Sequence, residues 1–500
     1  MLLTALTIGG LFFSGGIYLL LAVRLHRKAD QLGDHLPITS NERQARVVSA
    51  REFDAATVAT TISLATVILA FAELAPYLGG WLLWTVLTTA IGIFVVRLIA
   101  PRIWGRMGSF GHHRPTLHEF LGRSFGSPSL MKSAAICTSL GFLGAFAVEL
   151  TVGARFLSSL APEIPMWLGV IVLAGIGVVY TSLGGFRAVI LTDRIQMVAI
   201  WIAIVALGIA IVWRVTESGG MHFLIEHIPL AVYDFSWRDG LTSFLIGIFL
   251  INTPTFAADM SVWQRIAASR KESVVSEGLV RSVVSAAASW GALAILSCLL
   301  IAVAPVKEGE NPLATFLSVL GSSGSVVAGA LFFLVIIGLY AASLSTASTQ
   351  LIAAGHTLHT DILRSGKTKG RLAASRHELS MSRFILLVVA VVAILIVEAL
   401  TFAGFSIADL VFAVFGAQLS LVPPVFAALF MDEDRLEHLG KWVSFGVPIA
   451  FVAGWGSAIV GKLLSLPDLV FLSPLASLFV SSLFFMFGLI SNSWTRRGRK

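Results

Sequence analysis

The chain has 500 residues, of which 56% are hydrophobic and 13% charged, and its mean hydropathy is +0.88. Soluble domains carry about 25% charged residues, so a water-soluble globular fold is excluded. The formal net charge of +7 comes without a basic patch interleaved with aromatics, so no nucleic-acid partner is expected.

A helix needs about 20 mostly apolar residues to cross a bilayer, and thirteen such spans are predicted. They fall near 2–23, 55–78, 79–100, 133–155, 164–185, 189–213, 240–258, 282–305, 324–353, 384–402, 405–430, 442–461 and 468–491. With the N-terminus outside, of the 35 Lys and Arg only Arg155, Arg214, Arg238, Lys307 and Lys462 fall on the outer side. That is the bias of cytoplasmic loops, and it predicts an integral plasma (inner) membrane protein with a cytoplasmic C-terminus. The first span lacks a basic segment before it and is followed by Arg24, Arg27 and Lys28. It therefore reads as a retained anchor, not a signal peptide. Cys137 and Cys298 fall inside spans without metal-ligand spacing and read as packing residues. No long hydrophilic segment interrupts the array, so residues 1–500 are expected to form one membrane domain in contact with lipid.

Two spans look interrupted. The second holds Thr60, Thr61, Ser63 and Thr66 with Pro76 beyond, and the seventh holds Asn252-Thr253-Pro254 in mid-run. Proline removes a backbone donor and disrupts a helix. Interrupted helices at matching positions of two halves point to a transporter binding site, although membrane helices also tolerate Pro and Gly without any such role. Span nine crowds Ser343, Ser345, Thr346, Ser348 and Thr349 into one stretch. Hydroxyls with freed carbonyls suit a hard cation such as sodium, while the plainer reading is that they bond the preceding turn and help helices pack.

The segment GGFRAVILTDRIQ, running from residue 184 to 196, and the small-residue, Ser-Thr-rich run of span nine ending in Asp361-Ile362 resemble the sodium:solute symporter family. The resemblance implies an all-α membrane protein of the LeuT type, with two inverted five-helix repeats at 55–213 and 240–430. Peripheral helices at 1–23 and 442–491 complete it. It implies sodium as the coupling ion, held by the carbonyls of Ala59, Ile62 and Ala342 and the hydroxyls of Ser345 and Thr346. It also implies a central solute cavity with Thr66, Glu149 and Asp259 at its polar positions. In sugar-transporting relatives amides stand where this chain has the two carboxylates, so a cationic, amine or urea-like solute is expected. Alternatively, one carboxylate is protonated or helps hold a second cation. The plainer readings are an ion pair of Glu149 with Arg155 and of Asp259 with Arg265. Asp259, Trp263 and Gln264 also resemble the urea and polyamine branch of the family.

Asp193 stands against a long apolar run, where a carboxylate marks an ion or substrate pathway. The resemblance places it on the ion exit path. A structural pair with Arg187 or Arg194 is the alternative. His356, His359 and Asp361 imitate a metal-ligand spacing, but they close span nine where the family pattern runs into a loop, and metal binding is not expected. No phosphate-cradling loop, nucleophile elbow or HExxH pair occurs, so neither an enzyme nor an ATP-driven pump is expected, and no cofactor beyond sodium. The expected function is sodium-coupled symport of a small organic solute by alternating access. The rival is a transporter-like sensor or scaffold that binds solute without moving it, and a second rival is a passive solute or ion channel. The oligomeric state is not legible, because lipid-facing and protein-facing apolar surfaces look alike.

Overall fold

In hydrocarbon, backbone N–H and C=O groups must find partners within their own segment, so long apolar runs become helices. The computed structural model describes residues 2–26, 48–109, 114–304, 311–363, 376–402 and 406–497. Arg27, Lys28 and Lys307 of the charge argument lie outside these residues. Among the described residues there is no strand, only an isolated bridge between Val48 and Ser269.

The helices of seven residues or more begin with α1 (Leu2–His26), α2 (Ala50–Thr61), α3 (Ala70–Leu78), α4 (Leu82–Gly108), α5 (Leu117–Ser124) and α6 (Pro128–Leu160). Next come α7 (Met166–Glu217), α8 (Met221–His227), α9 (Leu241–Asn252), α10 (Met260–Ala268), α11 (Glu272–Val303) and α12 (Pro312–Ser322). The chain continues through α13 (Val326–Thr357), α14 (Arg376–Phe402), α15 (Ile407–Ala417), α16 (Val422–Phe430), α17 (Gly440–Leu463) and α18 (Ser473–Arg497).

Among the described residues, eleven helical stretches are long and apolar enough to cross a membrane, against the thirteen spans expected. Two long stretches make the difference. Leu64–Gly108 has 45 residues and Met166–Glu217 has 52, each more than twice what one crossing needs. Each contains a glycine in the left-handed region, Gly79 at φ 52° and Gly185 at φ 59°. Those are the places where the sequence reading set a boundary between two spans. At Gly185 the helical φ/ψ pattern is broken inside α7, a conformation that a Cβ would strain.

Both interruptions anticipated from the sequence are present. In the first, α2 ends at Ile62 (φ −86°, ψ 73°), Ser63 is extended, and a π-helical turn, Leu64–Leu69, leads into α3. Ser63 restarts the helix by accepting from the Thr66 amide at 2.9 Å. In the second, α9 stops at Asn252 and Pro254 opens a short 3-10 turn, Thr255–Ala258. Extended Asp259 then caps α10, accepting from the amides of Ser261 and Val262.

The centre of the bundle is α6, whose most apolar window is 83% buried, against 39% for α1 and 28% for α18. Outer helices present apolar stripes at helical spacing, such as Leu83, Leu87, Phe94 and Leu98 on α4. Left in water, such a surface costs about 25 cal/mol per Å2; lipid tails remove that cost. The chain is a multi-pass integral membrane protein.

Candidate functional site

The two interruptions meet neighbouring helices in different ways. At the first, the Leu64 amide cannot reach back into α2 and turns to Glu149 Oε1 at 3.2 Å, while the Ser63 hydroxyl donates to Glu149 Oε2. Glu149 is 1% exposed. A carboxylate at the amino end of a restarting helix satisfies orphan amides and complements the helix dipole. On the other side of the break, the carbonyls of Ala59, Thr61 and Ile62 accept no hydrogen bond among the described residues. The Thr60 carbonyl accepts from the Thr346 hydroxyl of α13 at 3.3 Å.

Ser345, one position earlier on α13, turns the other way and donates to Asp193 Oδ1 of α7 at 2.7 Å. Asp193 is fully buried, and its Oδ2 has no hydrogen-bond partner. Further buried polar atoms without partners stand one turn along the same two helices: both side-chain polar atoms of Gln196, three residues after Asp193, and the Thr349 hydroxyl, four after Ser345. Tyr180 donates to the Leu344 carbonyl at 2.8 Å, fixing α7 against α13 at this level. Arg187 and Arg194 are not the partners of Asp193.

A cavity of about 140 Å3 lies between the two interruptions. Its polar lining includes Thr60, Thr66, Asn252, Asp259, Arg265 and Gln350, and its apolar lining includes Phe71, Phe142, Phe244, Trp290 and Phe412. Of the three solute positions expected from the sequence, Thr66 and Asp259 line this cavity. Glu149 is not among its lining residues; the first interruption draws its side chain away. Asp259 Oδ1 is taken by the Ser261 amide at 2.6 Å and the Val262 amide at 3.4 Å.

Arg265 was read from the sequence only as a possible partner of Asp259. It is 3% exposed, lines the cavity, and donates to the Thr60 hydroxyl at 2.8 Å, with Asp193 and Asp259 in electrostatic range. The signal that finds it is the helix start. Once Asp259 caps α10, Ser261, Val262 and Arg265 share one face, and all three line the cavity. Asn252 is held by its amide to the Thr88 hydroxyl at 3.2 Å. Gly92 of α4 lets that contact form: a Cβ there would strike the Asn252 carbonyl and the Phe256 ring.

His356, His359 and Asp361 do not gather as metal ligands; no such group of three occurs among the described residues. Asp361 instead accepts from Thr116 and pairs with His118.

Two interrupted helices around a central cavity, in a bundle of apolar helices, define a secondary membrane transporter of the LeuT type. The profile of the Sodium:solute symporter family matches residues 46–437, and the chain belongs to that family. A segment of 143 residues is 27% identical to the sodium/pantothenate symporter of Escherichia coli (strain K12), covering 27% of this chain and 29% of that relative. The matched segment thus spans less than a third of the relative's length. The fold is similar to a Na+-coupled sialic acid symporter in its substrate-bound outward-open state, at a TM-score of 0.72 and 16% identity, covering 96% of this chain and 98% of that one. A nucleobase-cation-symport-1 family transporter, closed around bromovinylhydantoin, follows at a TM-score of 0.52 and 13% identity, covering 91% and 95%. Family and fold are those of transporters, and family membership supports sodium-coupled symport.

Proposed function

We propose that this chain carries a small solute bearing N–H donors together with Na+ by alternating access, through the repeats 55–213 and 240–430. The ion is assigned to the carbonyls of Ala59, Ile62 and Ala342 and the hydroxyls of Ser345 and Thr346. The observation that carries this reading is the freed carbonyls of the first interruption with Thr346 already bonded into it, at Thr60. Neutral oxygens from two elements suit a hard monovalent cation. Ser345 hands the ion towards Asp193, whose second oxygen has no protein partner, and this supports the pathway role expected for it.

The solute reading rests on Asp259 and Arg265. With Glu149 committed to Ser63 and Leu64, the cavity presents one carboxylate and one guanidinium, and their charges offset. That favours an uncharged or zwitterionic solute over a plain cation: a urea-like compound or an amino compound that carries its own carboxylate. Asp259 accepts its N–H groups, the amides of Asn252 and Gln350 supply further polar contacts, and Phe71, Phe244 and Trp290 cover its apolar part. Leu74 and Ala408 also line the cavity, and α10 is buried along its whole length.

Coupling is reciprocal, so solute must tighten sodium binding as sodium tightens solute binding. The experiment is uptake of labelled urea and amino compounds into proteoliposomes with and without a sodium gradient. Saturable, sodium-dependent flux supports the reading. Binding without flux supports the sensor alternative, and solute that leaves apparent sodium affinity unchanged contradicts coupling.

A further inference from the structure

A second buried polar cluster lies on the side of the basic loops, outside the ion and solute positions. Three histidines share it, His118 on α5 and His356 and His359 at the end of α13, exposed by 0%, 0% and 1%. His118 and His359 are both in electrostatic range of His356. One carboxylate serves the group. Asp361 accepts from the Thr116 hydroxyl at 2.8 Å through Oδ1 and pairs with His118 Nδ1 at 2.7 Å through Oδ2. Both of its oxygens are therefore taken. His118 Nε2 lies 2.9 Å from the Thr138 hydroxyl of α6, which ties α5, α6 and the end of α13 into one block.

His356 has an amide partner instead. Gln264 Nε2 lies 2.8 Å from His356 Nδ1, and His356 Nε2 has no partner. With the amide nitrogen facing it, Nδ1 accepts, and the ring's single proton sits on Nε2. Gln264 belongs to α10, the second arm of the interrupted helix, whereas His356 belongs to the α13 block. All nine residues of α10 are buried. On the alternating-access reading, a solute that leaves past α10 needs α10 to separate from that block.

We propose that the Gln264–His356 hydrogen bond is a latch on the cytoplasmic gate, and that a proton from the cytoplasm releases it. The proposal rests on the alternating-access reading above. A second proton on His356 enters at Nδ1, where the Gln264 amide can no longer donate and keeps the bond only by turning its oxygen to the ring. It also creates a buried cation with no carboxylate of its own among the described residues, a costly arrangement. Separation of α10 from α13 admits water to that charge and relieves the cost. Two arginines stand on the elements that carry or pack on this pair. Arg265 stands beside Gln264 on α10, and α14, which packs on Gly355 through Leu386, carries Arg383 one turn before it. Of the carboxylates, Asp361 is held by His118 and Thr116, and Asp193 of α7 is held by Ser345.

The test is the distance between spin labels on Arg270→Cys, just beyond α10, and Lys132→Cys, on α6. Both positions are exposed. The full chain is used in nanodiscs, with Cys137 and Cys298 replaced by Ala. Losing one hydrogen bond shifts a two-state equilibrium about fivefold, so lowering the pH from about 8 to about 5.5, across the ordinary histidine range, raises the long-distance population about fivefold. His356→Ala is open at both pH values. His356→Gln, which can bond Gln264 through its own amide and does not titrate, stays closed at both. A pH response that persists in His356→Gln, or none in the parent, overturns the latch. If the distance changes on exchanging Na+ for K+ but not with pH, only the latch fails. If nothing moves it, the alternating-access reading fails as well.

Discussion

The two helix interruptions do the same geometric work with different chemistry. At Ile62–Ser63 the restarting helix takes its cap from Ser63 and a further acceptor from elsewhere in the chain, Glu149 of α6, and the carbonyls of Ala59, Thr61 and Ile62 on the other side accept no hydrogen bond among the described residues. At Asn252–Asp259 the restart is local: Pro254 ends one arm and Asp259 caps the next with its own side chain. The first break therefore leaves oxygens for a cation and ties them to α6 and α13. The second leaves one carboxylate in the cavity without needing another helix to hold it. On the proposed function, the first break serves the ion and the second the solute.

That contrast is sharpened by removing each cap. Glu149→Ala leaves the Ser63 hydroxyl and the Leu64 amide buried without their partner. Bonds to a charged group are worth about 1.5–3 kcal/mol, so a loss of about 3 kcal/mol is expected in denaturant unfolding of the detergent-solubilised protein, with sodium binding lost as well. Gly92→Val drives side-chain atoms into the Asn252 carbonyl at the second break. Overpacking of this kind costs about 2 kcal/mol, visible as a lower thermal midpoint in both sodium and potassium. At the second cap, Asp259→Ala costs about 1 kcal/mol as a lost N-cap, while Asp259→Asn still caps and stays within about 0.5 kcal/mol. Both abolish sodium-dependent binding of an N–H-bearing solute, measured by calorimetry. If Asp259→Asn binds the solute normally, the division of labour between the breaks is wrong.

Much of this was legible from residue order. Apolar runs marked the helices, Pro254 and the Thr60–Ser63 segment marked the breaks, and Gly79 and Gly185 stand where span boundaries were drawn. What was lost follows from burial. α6 is enclosed on nearly every side, so no polar face revealed which way Glu149 points, and its partners Ser63 and Leu64 lie 86 and 85 residues away in the chain. Arg265 was visible as a residue but not as cavity lining, because its direction depends on the helix register that Asp259 sets. The His118–Asp361 pair joins positions 243 apart, and nothing local announces it. Spacing among His356, His359 and Asp361 instead imitated a metal site, while His356 is partnered by Gln264 and Asp361 by His118 and Thr116.

The central claim is that the first interruption and α13 together bind sodium. The most direct measurement is the thermal midpoint of the purified protein in sodium chloride against potassium chloride, for the parent and for Ser345→Ala/Thr346→Ala. A ligand at a hundredfold excess over its Kd stabilises the folded state by about 2.7 kcal/mol. The account predicts a sodium-specific rise of that order in the parent and none in the double variant. Equal midpoints in the two salts for a well-folded parent, or a sodium rise that survives both substitutions, would contradict it.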